Sequence, residues 1–214
     1  MDTRASPTRL ANVRRYGMLA IVLLVAIVVV ALVASLTRER IVANQHAWFV
    51  AHLDELIPPA AHDNDLFRDR IHVTAPDNLG DAPAAIYRAR RNGRPVGAII
   101  AATAPDGYGG PIDLLIAVDY TGSLLGVDVL HHSETPGIGD GFAANGSKWL
   151  HDLIGKSLDT TPPKRWTIRQ DGGDFDRFTG ASVTPRSILK AVRHALEYYA
   201  LNRDTIFHAP AESH

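Results

Sequence analysis

The sequence predicts an α+β protein, with a single N-terminal transmembrane helix followed by an antiparallel-sheet domain with flanking helices. Three observations carry that expectation. Residues 16 to 36, "YGMLAIVLLVAIVVVALVASL", run without a charge. Residues 84 to 132 read as apolar strands separated by short turns, one of them Asn92-Gly93. A proline-started amphipathic helix closes the domain from Pro185.

Composition bounds the chemistry. The 214 residues are 46% apolar and 21% charged, enough for one sizeable domain beyond the anchor. A net charge of −1 gives no reason to expect nucleic acid. The absence of cysteine excludes disulfides, thiolate zinc sites, iron–sulfur clusters and thioether-attached haem from this chain. Redox chemistry here would run on an organic cofactor or a cysteine-free metal site.

Residues 1 to 15 read as a short cytoplasmic tail carrying Arg4, Arg9, Arg14 and Arg15. The following span is long enough, at about 1.5 Å per residue, to cross a ~30 Å hydrocarbon core. It is also too long for the ~7–15-residue apolar region of a signal peptide. Arginine bias puts the N-terminus in the cytoplasm and the domain on the outer face, in bacteria the periplasmic side of the inner membrane. Residues 37 to 83 read as a helix and a connecting segment. The helix places Ile41, Trp48, Phe49, Leu53 and Leu56 at helical spacing before Pro58-Pro59, and a short strand is expected at Ile71–Val73.

Residues 84 to 201 form the predicted domain. "AAIYRAR", Asn92-Gly93 and "PVGAIIAATA" make a hairpin, because Asn-Gly suits the two positive-φ positions of a tight turn. "IDLLIAVDY" and "LLGVDVLHH" add two strands, giving an antiparallel meander. A shorter helix is expected from Ser147 as N-cap, then a strand at "RWTIR". The last helix is expected to run from Pro185 to about Leu201, with Ile188, Val192, Leu196 and Tyr199 facing inward. Residues 202 to 214 read as a tail.

The stretch before that helix, "DRFTGASVTPRSILKAV" (176 to 192), crowds hydroxyls at a helix mouth. Thr184-Pro185 fits a capping residue followed by proline at the first helical position. The free N–H groups and the positive end of the dipole suit a phosphate, with Arg186 and Lys190 adding charge. If Thr184 caps, Ser182 is the freer hydroxyl. No histidine lies close in sequence to activate it, so modification by another enzyme is the more natural chemistry than self-catalysis.

"DRFTGAS" resembles the flavin-attachment motif Asp-x-x-(Ser/Thr)-Gly-Ala-Thr of the family formed by the G subunits (RnfG, RsxG) of the Rnf, or Rsx, ion-translocating electron-transport complexes. The related C subunit of the sodium-pumping NADH:quinone reductase carries the same motif. "ATAPDGYGGPIDLLIAVD" (102 to 119) and "HHSETPGIGD" (131 to 140) resemble the same family in the same order, over roughly residues 85 to 200. The resemblance implies an FMN-binding domain whose flavin is joined through its phosphate to the last hydroxyl of the motif by a dedicated flavin transferase. Asp176, Thr179, Gly180 and Ala181 match the motif, and Ser182 stands where threonine is usual. Ser182 is therefore the expected attachment site and Thr184 the second candidate. Glu134, Thr135, Pro136 and Gly137 are implied to shape the flavin pocket.

Two adjacent histidines on a strand, His131 and His132, point to opposite faces, so no metal site is expected. The "APDGYGG" loop lacks a P-loop lysine and reads as a pocket wall or partner contact. Trp149 and Trp166 are expected in the core; His46, His52 and His62 on the surface. The implied function is electron transfer through covalent FMN within a membrane complex, with no catalytic residues of its own. The alternatives are a membrane-anchored periplasmic assembly or ligand-binding module without a redox group, and a hydrolase using Ser182 as nucleophile.

Overall fold

The computed structural model describes residues 7–142, 148–178 and 181–212. The chain divides into two units, residues 1–49 and 50–214. In the first unit, helix α1 (Pro7–Leu56) begins. Its most apolar stretch has a mean hydropathy of 3.3 and none of it is buried, so the helix is long and apolar enough to cross a membrane. The helix starts at Pro7, ahead of the uncharged run, so residues 7 to 15 of the predicted tail are helical.

The second unit is built on five strands in the order β1-β2-β3-β4-β5, each antiparallel to its neighbour. They are β1 (Arg70–Val73), β2 (Ala84–Arg91), β3 (Arg94–Ala104), β4 (Ile112–Asp119) and β5 (Leu124–His131); the short helix α2 (Pro76–Leu79) follows β1, and α3 (Lys148–His151) and α4 (Val183–His208) follow β5. The predicted meander, its first short strand and its hairpin are all present. Asn92 and Gly93 take φ of 52° and 75°, the left-handed pair the tight turn requires.

β3 and β4 are buried on both faces, which explains their near-continuous apolar runs. One face, with Ile86, Ile100, Leu114 and Ile116, lies in the main core together with Ile188, Val192, Leu196 and Tyr199 of α4 (Val183–His208). On the other, Ile99, Leu115 and Ala117 are fully buried, and Leu53 and Ile57 are each 1% exposed. There the last turns of α1 are held by His52, whose Nδ1 lies 2.5 Å from the Asp128 carboxylate of β5. His52 is half-buried, so its predicted surface placement is corrected: a β5 carboxylate draws it in.

Three local expectations fail for identifiable reasons. "RWTIR" is not a strand: Pro162-Pro163 start a 3-10 turn over Pro163–Arg165, and only Ile168 bridges to Phe175. Among the described residues the helix near residue 150 covers one turn, α3 (Lys148–His151), and it ends early because Gly155 at φ 77° reverses the chain to bond Leu124. Its predicted cap, Ser147, lies outside the described residues. The third concerns the end of the chain: α4 continues past Leu201 to His208, burying Ile206 and Phe207. The segment after it is tied down as well. Arg88, 1% exposed in the middle of β2, donates to the Ile206 and Ala209 carbonyls and pairs with Asp69. Glu212 accepts from the backbone and ring of His72.

Trp166 is core, 3% exposed, its Nε1–H donated to the Thr161 carbonyl. Trp149 is half-buried and packs edge-on against Phe178, 4.8 Å between ring centroids.

Candidate functional site

Ser182, Thr184 and Glu134 meet where α4 begins. Ser182 occupies the N-cap position with φ −127° and ψ −20°, and its side chain makes no capping bond. Thr184 is not the cap. It sits in the first turn, fully buried, and donates its hydroxyl to Glu134 Oε2 at 2.7 Å. The expectation that Thr184 caps and thereby spares Ser182 is corrected: a buried carboxylate, which a local pattern cannot show, claims the Thr184 hydroxyl. Ser182 is still the freer group. Its Oγ accepts one N–H, from Arg186 Nη1 at 3.2 Å.

Glu134 organises the site. It is 4% exposed and ties three segments together. Oε2 takes the Thr184 hydroxyl; Oε1 takes the Gly109 N–H at 3.1 Å; and its own N–H reaches His132 Nδ1 at 3.3 Å. A buried carboxylate needs such partners, since each charge-assisted bond offsets part of its desolvation. His132 also stacks edge-on with Phe142 at 4.8 Å, whereas His131 lies 3.9 Å from Asp113. The two histidines have different surroundings, because β5 ends at His131 and His132 already belongs to the loop that follows.

The glycine loop earns its place by close approach. A Cβ at Gly109 would sit 2.0 Å from the Ser133 carbonyl oxygen, a separation that real atoms do not tolerate. Gly109→Ala is expected to push the loop off Glu134 and to lower stability by about 1–3 kcal/mol, the usual cost of overpacking. Urea unfolding followed by tryptophan fluorescence checks this, and an unchanged midpoint would contradict the close fit. Lys190 of α4 pins the same loop from outside through Asp106 at 2.7 Å.

The turn entering α4 is held from below. Trp149 Nε1–H donates to the Asp176 carbonyl at 2.7 Å, and Phe178 packs against Trp149 and Phe142. Beside it, Arg186 grips Asp171 with Nε and Nη2, which holds the Asp171 carboxyl below the usual carboxylate range.

A cavity of about 330 Å³ opens over these groups. Glu134, Thr135, Ala181, Ser182 and Thr184 line it, as do Tyr108, Ile138, Gly139 and Val183. Tyr108, Ile138 and Val183 are 75%, 53% and 41% exposed, so the rim presents apolar surface. Such a pocket, apolar with a few convergent polar groups, has the size and character of a cofactor site.

Comparison with known proteins bears on what the pocket belongs to. The FMN-binding domain family matches residues 107–197. The G subunit of the ion-translocating oxidoreductase complex of Pseudomonas aeruginosa is 42% identical over 100% of this chain and 98% of its own length. The protein of that name from Shewanella loihica is 40% identical, over 93% of this chain and 94% of the relative. That from Aliivibrio fischeri is 37% identical, over 90% and 92%.

The chain belongs to the family of these G subunits.

Within this G-subunit fold, five of the predicted residues converge on one cavity: Glu134, Thr135, Ala181, Ser182 and Thr184. Pro136 and Gly137 do not line it. They make the turn beside it, where Gly137 at φ 76° donates its N–H to Asp140. Asp176 is exposed, its carboxylate 3.3 Å from Arg169. Thr179 and Gly180 lie outside the described residues. Sequence reasoning read the loop that holds Tyr108 as a pocket wall or partner contact, and Tyr108 does line the cavity. It did not single out Ile138, Gly139, Val183 or Asp171, and the partner of Asp171 lies on another element.

Proposed function

We propose that this chain carries FMN joined by its phosphate to the Ser182 hydroxyl and relays electrons within a membrane-bound ion-translocating oxidoreductase complex. One observation carries the reading. Ser182 Oγ, uncommitted to capping, stands at the wall of a cavity inside the FMN-binding match, with a guanidinium 3.2 Å away.

The residues present fit the group. A phosphoester at Ser182 would meet Arg186 and the first-turn N–H groups of α4. The apolar rim of Tyr108, Ile138 and Val183 suits a flat ring system. When bound, FMN supplies the one- and two-electron chemistry, while the protein supplies position and electrostatics.

Ser182 supplies the oxygen in the attachment step. Its Oγ–P bond forms as the anhydride bond of a flavin dinucleotide donor breaks. The hydroxyl proton passes to a base of the flavin transferase, and a nucleoside monophosphate leaves. The described hydrogen-bond partner of Ser182 is an arginine, which cannot accept a proton, so the site is poorly suited to a serine hydrolase. Thr184, buried and bonded to Glu134, is the poorer acceptor.

The arginines before the span favour a cytoplasmic N-terminus, and with it a periplasmic domain anchored in the inner membrane. A covalent tether has a physical purpose there, because a dissociated cofactor outside the cytoplasm would be lost by dilution. Electrons would come from and go to neighbouring proteins of the complex. Ion translocation falls to partners with several spans, since one uncharged helix offers no path for an ion.

The test is coexpression of the full chain with a flavin transferase, then a denaturing gel and intact-mass measurement. The expected result is a fluorescent band with the mass of one FMN ester added. A dark band of unmodified mass would favour an anchored binding module without a redox group.

A further inference from the structure

We propose that Arg186 is the phosphate anchor of this site and that Asp171 aims it. The inference rests on the reading of Ser182 as the flavin attachment point. Arg186 follows Ser182 by one helical turn, and helical side chains lean toward the N-terminus, which brings the guanidinium back over the helix mouth.

What distinguishes this arginine is how its donors are divided. A guanidinium carries five N–H groups in a rigid plane. Nε and Nη2 face the two oxygens of Asp171 in a forked pair, the Nη2 bond being 2.9 Å. Nη1, on the remaining edge, faces Ser182 Oγ at 3.2 Å. The fork orients the guanidinium plane, and in that orientation the free edge faces the hydroxyl.

Asp171 is itself placed by structure. It ends the 3-10 turn Arg169–Asp171, which stops at Gly172 in the left-handed conformation with φ 83°. Thr167 Oγ1 lies 3.4 Å from the carboxylate. The pair thus joins the segment leading into the attachment motif to the helix leaving it. A serine-linked phosphodiester bears one negative charge on its non-bridging oxygens. It would be met by a cation that is already oriented and already close, with Asp171 still bound to the opposite edge.

The test uses the full chain in detergent, purified without flavin and then incubated with flavin transferase and a flavin dinucleotide donor. Attachment is followed over time by in-gel fluorescence, and the phosphorus resonance of the product is recorded. Arg186→Gln is expected to slow the initial rate about tenfold, the scale of one charge-assisted hydrogen bond, and to shift the phosphorus resonance. Arg186→Lys restores charge without the fork and should recover to within about threefold of the unsubstituted rate. Asp171→Asn should fall between the two. Arg186→Gln labelling at the unsubstituted rate with an unmoved resonance would overturn the anchor. So would a lysine variant as slow as glutamine with both melting early, which is what a purely structural staple predicts. If the unsubstituted chain itself takes no flavin, the attachment reading fails first, and the anchor with it.

Discussion

Ser182→Ala is expected to leave the chain wholly without covalent flavin when coexpressed with a flavin transferase, with no fluorescent band and no added mass. The second candidate acceptor, Thr184, is poorly placed to take over. Thr184 is two residues away, but its hydroxyl is fully buried and donated to Glu134 at 2.7 Å. Exposing it would break a charge-assisted bond and leave a buried carboxylate short of a partner, a cost of about 1.5–3 kcal/mol or more. Ser182→Thr should remain labelled, since it keeps the oxygen. Proteolysis and peptide mass mapping make the result specific. A flavin-bearing peptide modified at Thr184 in the alanine variant would move the site and refute the assignment.

The greatest loss of stability is expected away from the cavity, at Asp69. This carboxylate pairs with Arg88, whose side chain is 2% exposed, and accepts from Arg90 Nε at 2.8 Å. Arg88 in turn holds the carbonyls of Ile206 and Ala209, so Asp69 indirectly secures the end of α4. Removing one member of a buried ion pair strands the other without water or counter-charge. Asp69→Ala should therefore cost about 3–5 kcal/mol, read as a lower urea midpoint at unchanged pH. Replacing Arg88 by methionine in the same chain should recover much of that loss, since an apolar side chain of similar length needs no counter-ion. A single variant as stable as the unsubstituted chain would show that water already neutralises Arg88. That outcome would contradict its burial.

Glu134 shows why the site was only partly legible. The sequence drew attention to it through resemblance, as a pocket residue. Its actual work is to receive Gly109 from 25 residues before it and Thr184 from 50 residues after it. Neither contact leaves a local trace. The same holds for Asp171, whose guanidinium partner lies 15 residues away on another element. It holds too for Arg88, which alternation on a strand describes as one polar position among apolar ones. The cap assignment failed for the same reason. Thr-Pro is a sound helix-start signal, but the Thr184 hydroxyl donates to a carboxylate in a neighbouring loop and does not cap its own turn.

Residue order was enough to establish an N-terminal helix long and apolar enough to cross a membrane, the strand order, the Asn92-Gly93 turn and the inward stripe of the last helix. Each rests on local physics: hydrocarbon thickness, side-chain alternation, allowed φ, and the 3.6-residue period. Folding in three dimensions settled which hydroxyl at the mouth of α4 is free, which cation faces it, and how the last turns of α4 are secured. Those outcomes depend on which distant segments come to share a small volume, where a buried carboxylate must find donors and a buried cation must find a counter-charge. A local pattern of residues carries no record of that competition.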